Sequence, residues 1–154
     1  MVKFDFIKDC ALATRDTYEK MLREVPEING PVQTETGLIN VREVTALIGF
    51  NGDVIGSMLI SMSEEKAKQT ISKFLGFEIT EVDDDVLDGI EEIVNIIAGA
   101  AAARFPKRTL LGLPTVMLGE RQRIHGSEDS PWKVTTMETE NLGEFTIGAT
   151  LKEA

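Results

Sequence analysis

The sequence predicts an α+β fold: an antiparallel sheet of about five to six strands covered by long helices. Three features carry this expectation. Apolar residues recur at three- and four-residue steps in long segments. Two β-rich runs bracket Asn51-Gly52, a strong short-range hairpin signal. The order of elements is helix, hairpin, two helices, then strands, which suits helices packed on one sheet. With 154 residues the chain is expected to fold as one domain, residues 1–154, around its own core.

The first helix is expected from about Asp5 to Arg23. Ile7, Cys10, Ala11, Thr14, Tyr18, Met21, Leu22 and Val25 make its buried stripe. Pro26, Asn29, Gly30 and Pro31 then supply breaker chemistry. Val44 to Phe50 reads as a strand and Val54 to Ser61 as its partner. The intervening Asn51-Gly52 suits a tight turn with both residues at positive φ. Ser63 is placed to cap a second helix, with Glu64 and Glu65 in the first turn, where the helix dipole favours negative charge. That helix should stop near Gly76. Asp83, Asp84 and Asp85 open the third and longest helix, which should reach about Arg104, ahead of Pro106. The remainder reads as three strands, roughly Thr115–Ile124, Trp132–Glu138 and Glu144–Leu151, separated by breakers at Gly126–Pro131 and Asn141–Gly143.

Charge and composition narrow the function. The net charge is −10, from 26 acidic and 16 basic side chains. Nucleic-acid binding needs clustered Lys and Arg to displace counterions, and an anionic membrane surface would also repel this chain. Neither partner is expected; one with a basic patch suits the charge better. Cys10 is the sole cysteine, so no intrachain disulfide can form, and its place on an apolar stripe indicates packing. Charged residues interrupt the first apolar positions, and no apolar run is long enough to span a bilayer, so the expected compartment is the cytoplasm. His125 is the only histidine, which leaves Ser-His-Asp chemistry and a histidine-rich metal site poorly supported. No metal site and no cofactor of the chain's own are expected.

The third helix carries the functional signal. At ~100° per residue, Val86, Ile90, Ile93, Val94, Ile97 and Ala101 fall on one line, the expected core stripe. Asp88, Glu92, Asn95 and Gly99 fall on a second line roughly 170° away. Asn and Gly are poor mid-helix residues, and a surface selected for helix stability would carry Lys, Glu, Gln or Ala there. Gly99 would leave room for another backbone or a phosphate one turn beyond Asn95. Ile96 flanks the line as an apolar residue with no place on the core stripe, as a docking surface would have it. The same pattern also fits a solvated helix face with one tolerated Asn and one tolerated Gly.

That line resembles the signature of the CheC/CheX family of chemotaxis phosphatases. In the family a short polar residue precedes Glu by four, Asn follows Glu by three, and a Pro lies further on. Here these are Asp88, Glu92, Asn95 and Pro114. Ile48-Gly-Phe-Asn-Gly-Asp-Val-Ile-Gly-Ser57 resembles the family's first hairpin, and Pro114-Thr-Val-Met-Leu-Gly119 the strand after the signature helix. The likeness runs from about Val44 to Leu151, with Pro114 slightly early after Asn95. The first helix lacks Glu-x-x-Asn, so a single site of the CheX type is implied.

The resemblance implies a phosphatase acting on the aspartyl phosphate of a phosphorylated CheY-like receiver domain, which itself supplies Mg²⁺ and a lysine. Asn95 and Glu92 would be the catalytic pair, with Asp88, Ile96 and Gly99 contacting the partner. A carboxamide can donate to and accept from a water without adding charge that repels phosphoryl oxygens. Glu92 resembles the family residue that pairs with the receiver's lysine. The resemblance also implies a homodimer formed through the sheets. Two other readings use the same chain: a non-catalytic CheC-like module that binds a receiver or flagellar-switch component, and a structural dimer subunit with a solvated helix.

Overall fold

The computed structural model describes residues 2–154. Three helices, α1 (Phe6–Leu22), α2 (Glu64–Leu75) and α3 (Asp84–Arg104), lie on one face of a large antiparallel sheet. Two long hairpin arms form the sheet's centre: β4 (Val44–Gly52) with β5 (Val54–Met62), and β9 (Trp132–Thr139) with β10 (Gly143–Glu153). Together with the short strands β1 (Glu27–Ile28) and β6 (Thr109–Leu111), they run in the order β1-β9-β10-β5-β4-β6. Two further short strands, β2 (Gln33–Glu35) and β7 (Thr115–Leu118), pair with β9 and β4, giving eight strands. A separate ribbon of β3 (Gly37–Asn40) and β8 (Arg123–Gly126) lies off this sheet.

Side-chain alternation explains the layers. Val44, Ala46, Ile48 and Phe50 of β4, Met58, Ile60 and Met62 of β5, and Phe145, Ile147, Ala149 and Leu151 of β10 enter the core shared with the helices. Fully burying such a side chain contributes about 1.5–3 kcal/mol, so this one layer supplies much of the driving force. On the opposite face Leu59 and Trp132 pack with Ile39, and Val41 and Ile124 close over them, so the ribbon seals part of the sheet's outer surface.

The helix boundaries follow local chemistry. Asp5, Ser63 and Asp83 cap α1, α2 and α3, each accepting a hydrogen bond from a backbone N–H three residues on. Gly76 ends α2 in the left-handed conformation, φ 82°. Arg23 does the same for α1, with φ 56°. The chain therefore leaves the helix before Val25, which is exposed and not part of the buried stripe. Ala13 and Thr17 are buried in α1 as well, because the helix touches α2 and α3 in addition to β10. Gly89 sits where α3 meets α2: a β-carbon there would stand 2.9 Å from Cδ1 of Ile71.

Two connections differ from the sequence expectation. In the β4–β5 turn Phe50 pairs with Gly56, which centres the turn on Asp53. Gly52 has φ 107° and Asn51 does not share the left-handed region, so the two-residue turn through Asn51-Gly52 is not formed. Gly52 is instead drawn into pairing with Thr109 of β6. The expected strand Thr115–Ile124 divides into β7 and β8, because Arg121 at φ 56° reverses the chain between them. The extra short strands bring the sheet beyond the five or six expected.

One buried polar cluster ties the periphery together. Glu24, just past α1, has a side chain only 5% exposed and accepts from Lys73 Nζ of α2 at 2.9 Å. It also accepts from the Asn141 carboxamide at 3.0 Å and the Asn141 backbone N–H at 3.3 Å, in the β9–β10 turn. Burial alone would raise its pKa, but the bonds from Asn141, Lys73 and Thr139 outweigh it and bring the carboxyl from 4.5 down to about 2. A depressed carboxyl stabilises the fold above its unfolded pKa and loses that contribution as pH falls toward the folded value. Glu24→Gln should therefore lower stability at pH 7 by up to about 3 kcal/mol. The gap between variant and wild type should close as pH falls from about 4.5 toward 2, which denaturant melts across that range would measure.

Candidate functional site

The site is the outward side of α3. Asp83 accepts from the Val86 N–H at 3.1 Å, and Asp84 and Asp85 sit in the first turn, so the helix starts under favourable electrostatics. Val86, Ile90, Ile93, Val94, Ile97 and Ala101 are all buried, as the helical spacing predicts. With that stripe held against the core, rotation of α3 is determined, and the opposite line must face away.

The structure places Asp88, Glu92 and Asn95 on that line and exposes all three. Among the described residues Asp88 and Glu92 form no ion pair, and the Asn95 carboxamide forms no hydrogen bond. Successive steps of four and three residues set these side chains one above another. The face thus offers two carboxylates and one carboxamide, none engaged by the chain's own groups. Ile96 borders it and is 36% exposed, at the edge between surface and core.

Gly99 departs from the expectation of open clearance. It is half-buried, and a β-carbon there would lie 3.7 Å from Cδ1 of Leu111, ordinary van der Waals contact. The neighbour is β6, a strand too short and too close to Gly112 and Pro114 to stand out in the sequence. Leu111 is the residue that sequence reasoning missed; its signal is the short β-favouring run Thr109-Leu-Leu111 alone. Pro114 lies between β6 and β7 on the same edge.

The remaining reactive groups lie elsewhere. Cys10 is fully buried and burial pushes its thiol well up, so it cannot supply a thiolate at neutral pH. His125 is exposed on β8, paired across from Leu38. Among the described residues no group of three or more His, Cys, Asp or Glu is gathered to hold a metal ion. Among the described residues no helix is long and apolar enough to cross a membrane.

Comparison with known proteins bears on the family and the fold. The family model described as chemotaxis phosphatase CheX matches residues 44–137, which contain both arms of the first hairpin, α2, α3 and the Glu92–Asn95 pair. No match is found among curated proteins. Solved structures share the fold. A chemotaxis protein CheX from Desulfovibrio desulfuricans superimposes with a TM-score of 0.85 at 24% identity, covering 97% of this chain and 100% of that one. Chemotaxis protein CheX from Vibrio vulnificus gives 0.82 at 20% identity, over 96% and 99% of the two chains. The CheX chain of the CheX–CheY–BeF3–Mg complex from Borrelia burgdorferi gives 0.74 at 21%, over 98% and 100%.

The contact at Gly99 yields a stability test. Alanine fits against Leu111 without displacing it and is the better helix former, so Gly99→Ala should raise stability by up to about 1 kcal/mol, seen as a higher melting temperature. Gly99→Leu should lower it, because the longer side chain must occupy the space of Leu111.

Proposed function

Because the chain belongs to the CheX family of chemotaxis phosphatases, we propose that it removes phosphate from the aspartyl phosphate of a CheY-like response regulator. The observation that carries this reading is the unengaged Glu92–Asn95 pair, exposed one turn apart on a rigid helix whose opposite side is buried in the core. The relative from Borrelia burgdorferi forms a complex with CheY, which supports a receiver as the partner class.

In this reading Asn95 holds a water in line with the phosphorus of the receiver's acyl phosphate. The water's oxygen bonds to phosphorus as the bond to the aspartyl oxygen breaks, releasing inorganic phosphate and a free carboxylate. Positioning is the main demand in such a transfer, since the charge is spread over the phosphoryl oxygens. The neutral carboxamide meets it by donating and accepting at once without opposing those oxygens. The receiver supplies Mg²⁺ and the lysine that the resemblance assigns to it; Glu92 pairs with that lysine and sets the register of docking. Asp88 extends the same acidic grip. A fixed helix suits this task, because its geometry is set by the core before the partner arrives.

Two substitutions separate the roles. Asn95→Ala should abolish accelerated loss of phosphate from a phosphorylated receiver while leaving melting temperature unchanged or higher, since the residue is exposed and Ala favours the helix. Glu92→Lys should weaken association and turnover together through repulsion of the receiver's lysine, measured by calorimetry and phosphate release. Unchanged turnover in Asn95→Ala would overturn Asn95 as the water-positioning group, and a wild type that does not accelerate phosphate loss would leave a binding module without hydrolysis.

We also propose that the protein acts as a homodimer. At the edge away from β6 and β7 the sheet ends in the short strands β1 and β2, and such an edge is a natural site for self-pairing. Sedimentation at micromolar concentration should give twice the mass of the chain; a monomer would remove the dimer.

A further inference from the structure

Leu113 is 91% exposed, more than any other large apolar side chain among the described residues. It stands at an irregularity in the edge strand. Leu111 of β6 pairs with Phe50, and Thr115 of β7 pairs with Leu47, both on β4. Between these pairs, residues 112–114 of the edge oppose only Ile48 and Gly49. The extra residue makes a β-bulge, held on its near side by the Gly112 N–H donating to Gly49 O at 2.9 Å. Bulges redirect side chains, and here the redirected side chain is a leucine that packs on almost nothing in its own chain.

Its place relative to α3 follows from three contacts. Phe105, just past the C-terminus of α3, packs edge-on against Phe50 with ring centroids 5.4 Å apart. Leu111 lies over Gly99. β7, further along the edge, also packs on α3. Following α3 backwards from Phe105 through Gly99 to Asn95 therefore tracks the edge strand forwards from Leu111 through Leu113 to Thr115. Leu113, between Leu111 and Thr115, therefore lies on this edge at about the level of the turn of α3 that bears Asn95 and Ile96. Leu118 of β7 pairs with the core-facing Val44, lies on the same side of the sheet and is 48% exposed.

We infer that Leu113, with Ile96, is an apolar anchor that seats the receiver domain against the Glu92–Asn95 face and thereby selects among receivers. This rests on the reading of the chain as a receiver phosphatase. The occupant is the receiver because the edge that carries Leu113 packs on α3, the helix whose outward face must meet the aspartyl phosphate. The acidic side chains Asp88 and Glu92 make the outward face of α3 negative, so the receiver surface that meets it carries basic groups beside an apolar one. An exposed leucine that is desolvated on docking contributes its buried apolar area to the association.

The test titrates receiver domains from the same genome, activated with beryllofluoride and Mg²⁺, into wild type, Leu113→Ser, Leu113→Met and Asn95→Ala. Phosphate release from the same receivers carrying an aspartyl phosphate, and the melting temperature of each variant, are measured in parallel. Leu113→Ser should bind about tenfold more weakly and raise KM by a similar factor, with far less change in kcat and none in melting temperature. Leu113→Met should restore most of the affinity, because it keeps the apolar bulk. Asn95→Ala should bind like wild type and release no phosphate. Wild-type affinity in Leu113→Ser would overturn the anchor alone. Tight wild-type binding without phosphate release would overturn hydrolysis and leave the anchor standing. Failure of wild type to bind any receiver would overturn both.

Discussion

The burial of one stripe of α3 is the constraint on which the rest of the structure depends. Val86, Ile90, Ile93, Val94, Ile97 and Ala101 lie against a sheet face built from alternate residues of β4, β5 and β10. A helix so held cannot roll, because turning it by one residue would lift several large apolar side chains into water at about 1.5–3 kcal/mol each. The opposite line, with Asp88, Glu92 and Asn95, is thereby presented outward in a fixed orientation. Preorganisation of the candidate site is a consequence of packing on the other side of the same helix.

Neighbouring elements hold that helix in place at both ends. At its start Asp83 caps the backbone, and Gly89 lets α2 approach through Ile71. At its end Phe105 stands between Phe4 and Phe50, with ring centroids 5.4 Å from each. Arg104 donates to Asp16 of α1 at 2.8 Å, a half-exposed pair worth less than about 1 kcal/mol that orients more than it stabilises. The buried Glu24 cluster does the same for the outer elements, joining the end of α1, α2 and the β9–β10 turn through one carboxylate.

The edge strand supplies what the helix alone cannot. Between β6 and β7 the chain gains one residue relative to β4, so Leu111 covers Gly99 while Leu113 is released to solvent. The polar line of α3 and an apolar point beside it are thus brought together from segments that are far less regular in sequence than the helix.

The sequence by itself determined the α+β class, the three helices with the cap at Ser63 and the acidic start of α3, the long hairpin arms, and which side of α3 is core. Each rests on local periodicity or on capping chemistry within a few residues, so neighbours in sequence carry the whole signal. It also placed Glu92 and Asn95 on one exposed line, since four- and three-residue steps on a helix leave no other choice. Tertiary structure decided the rest. The strands β1, β2 and β6 are too short to show alternation and exist because a longer strand offers them partners, while β3 exists only through its pairing with the equally short β8. The β4–β5 turn centres on Asp53 because β6 pairs with Asn51 and Gly52 and extends β4 past the preferred turn pair. Gly99 faces Leu111 and not open solvent, because β6, which follows the end of α3, returns along that helix. Helix periodicity reports which way a side chain points, but only the packed chain decides what stands there to meet it.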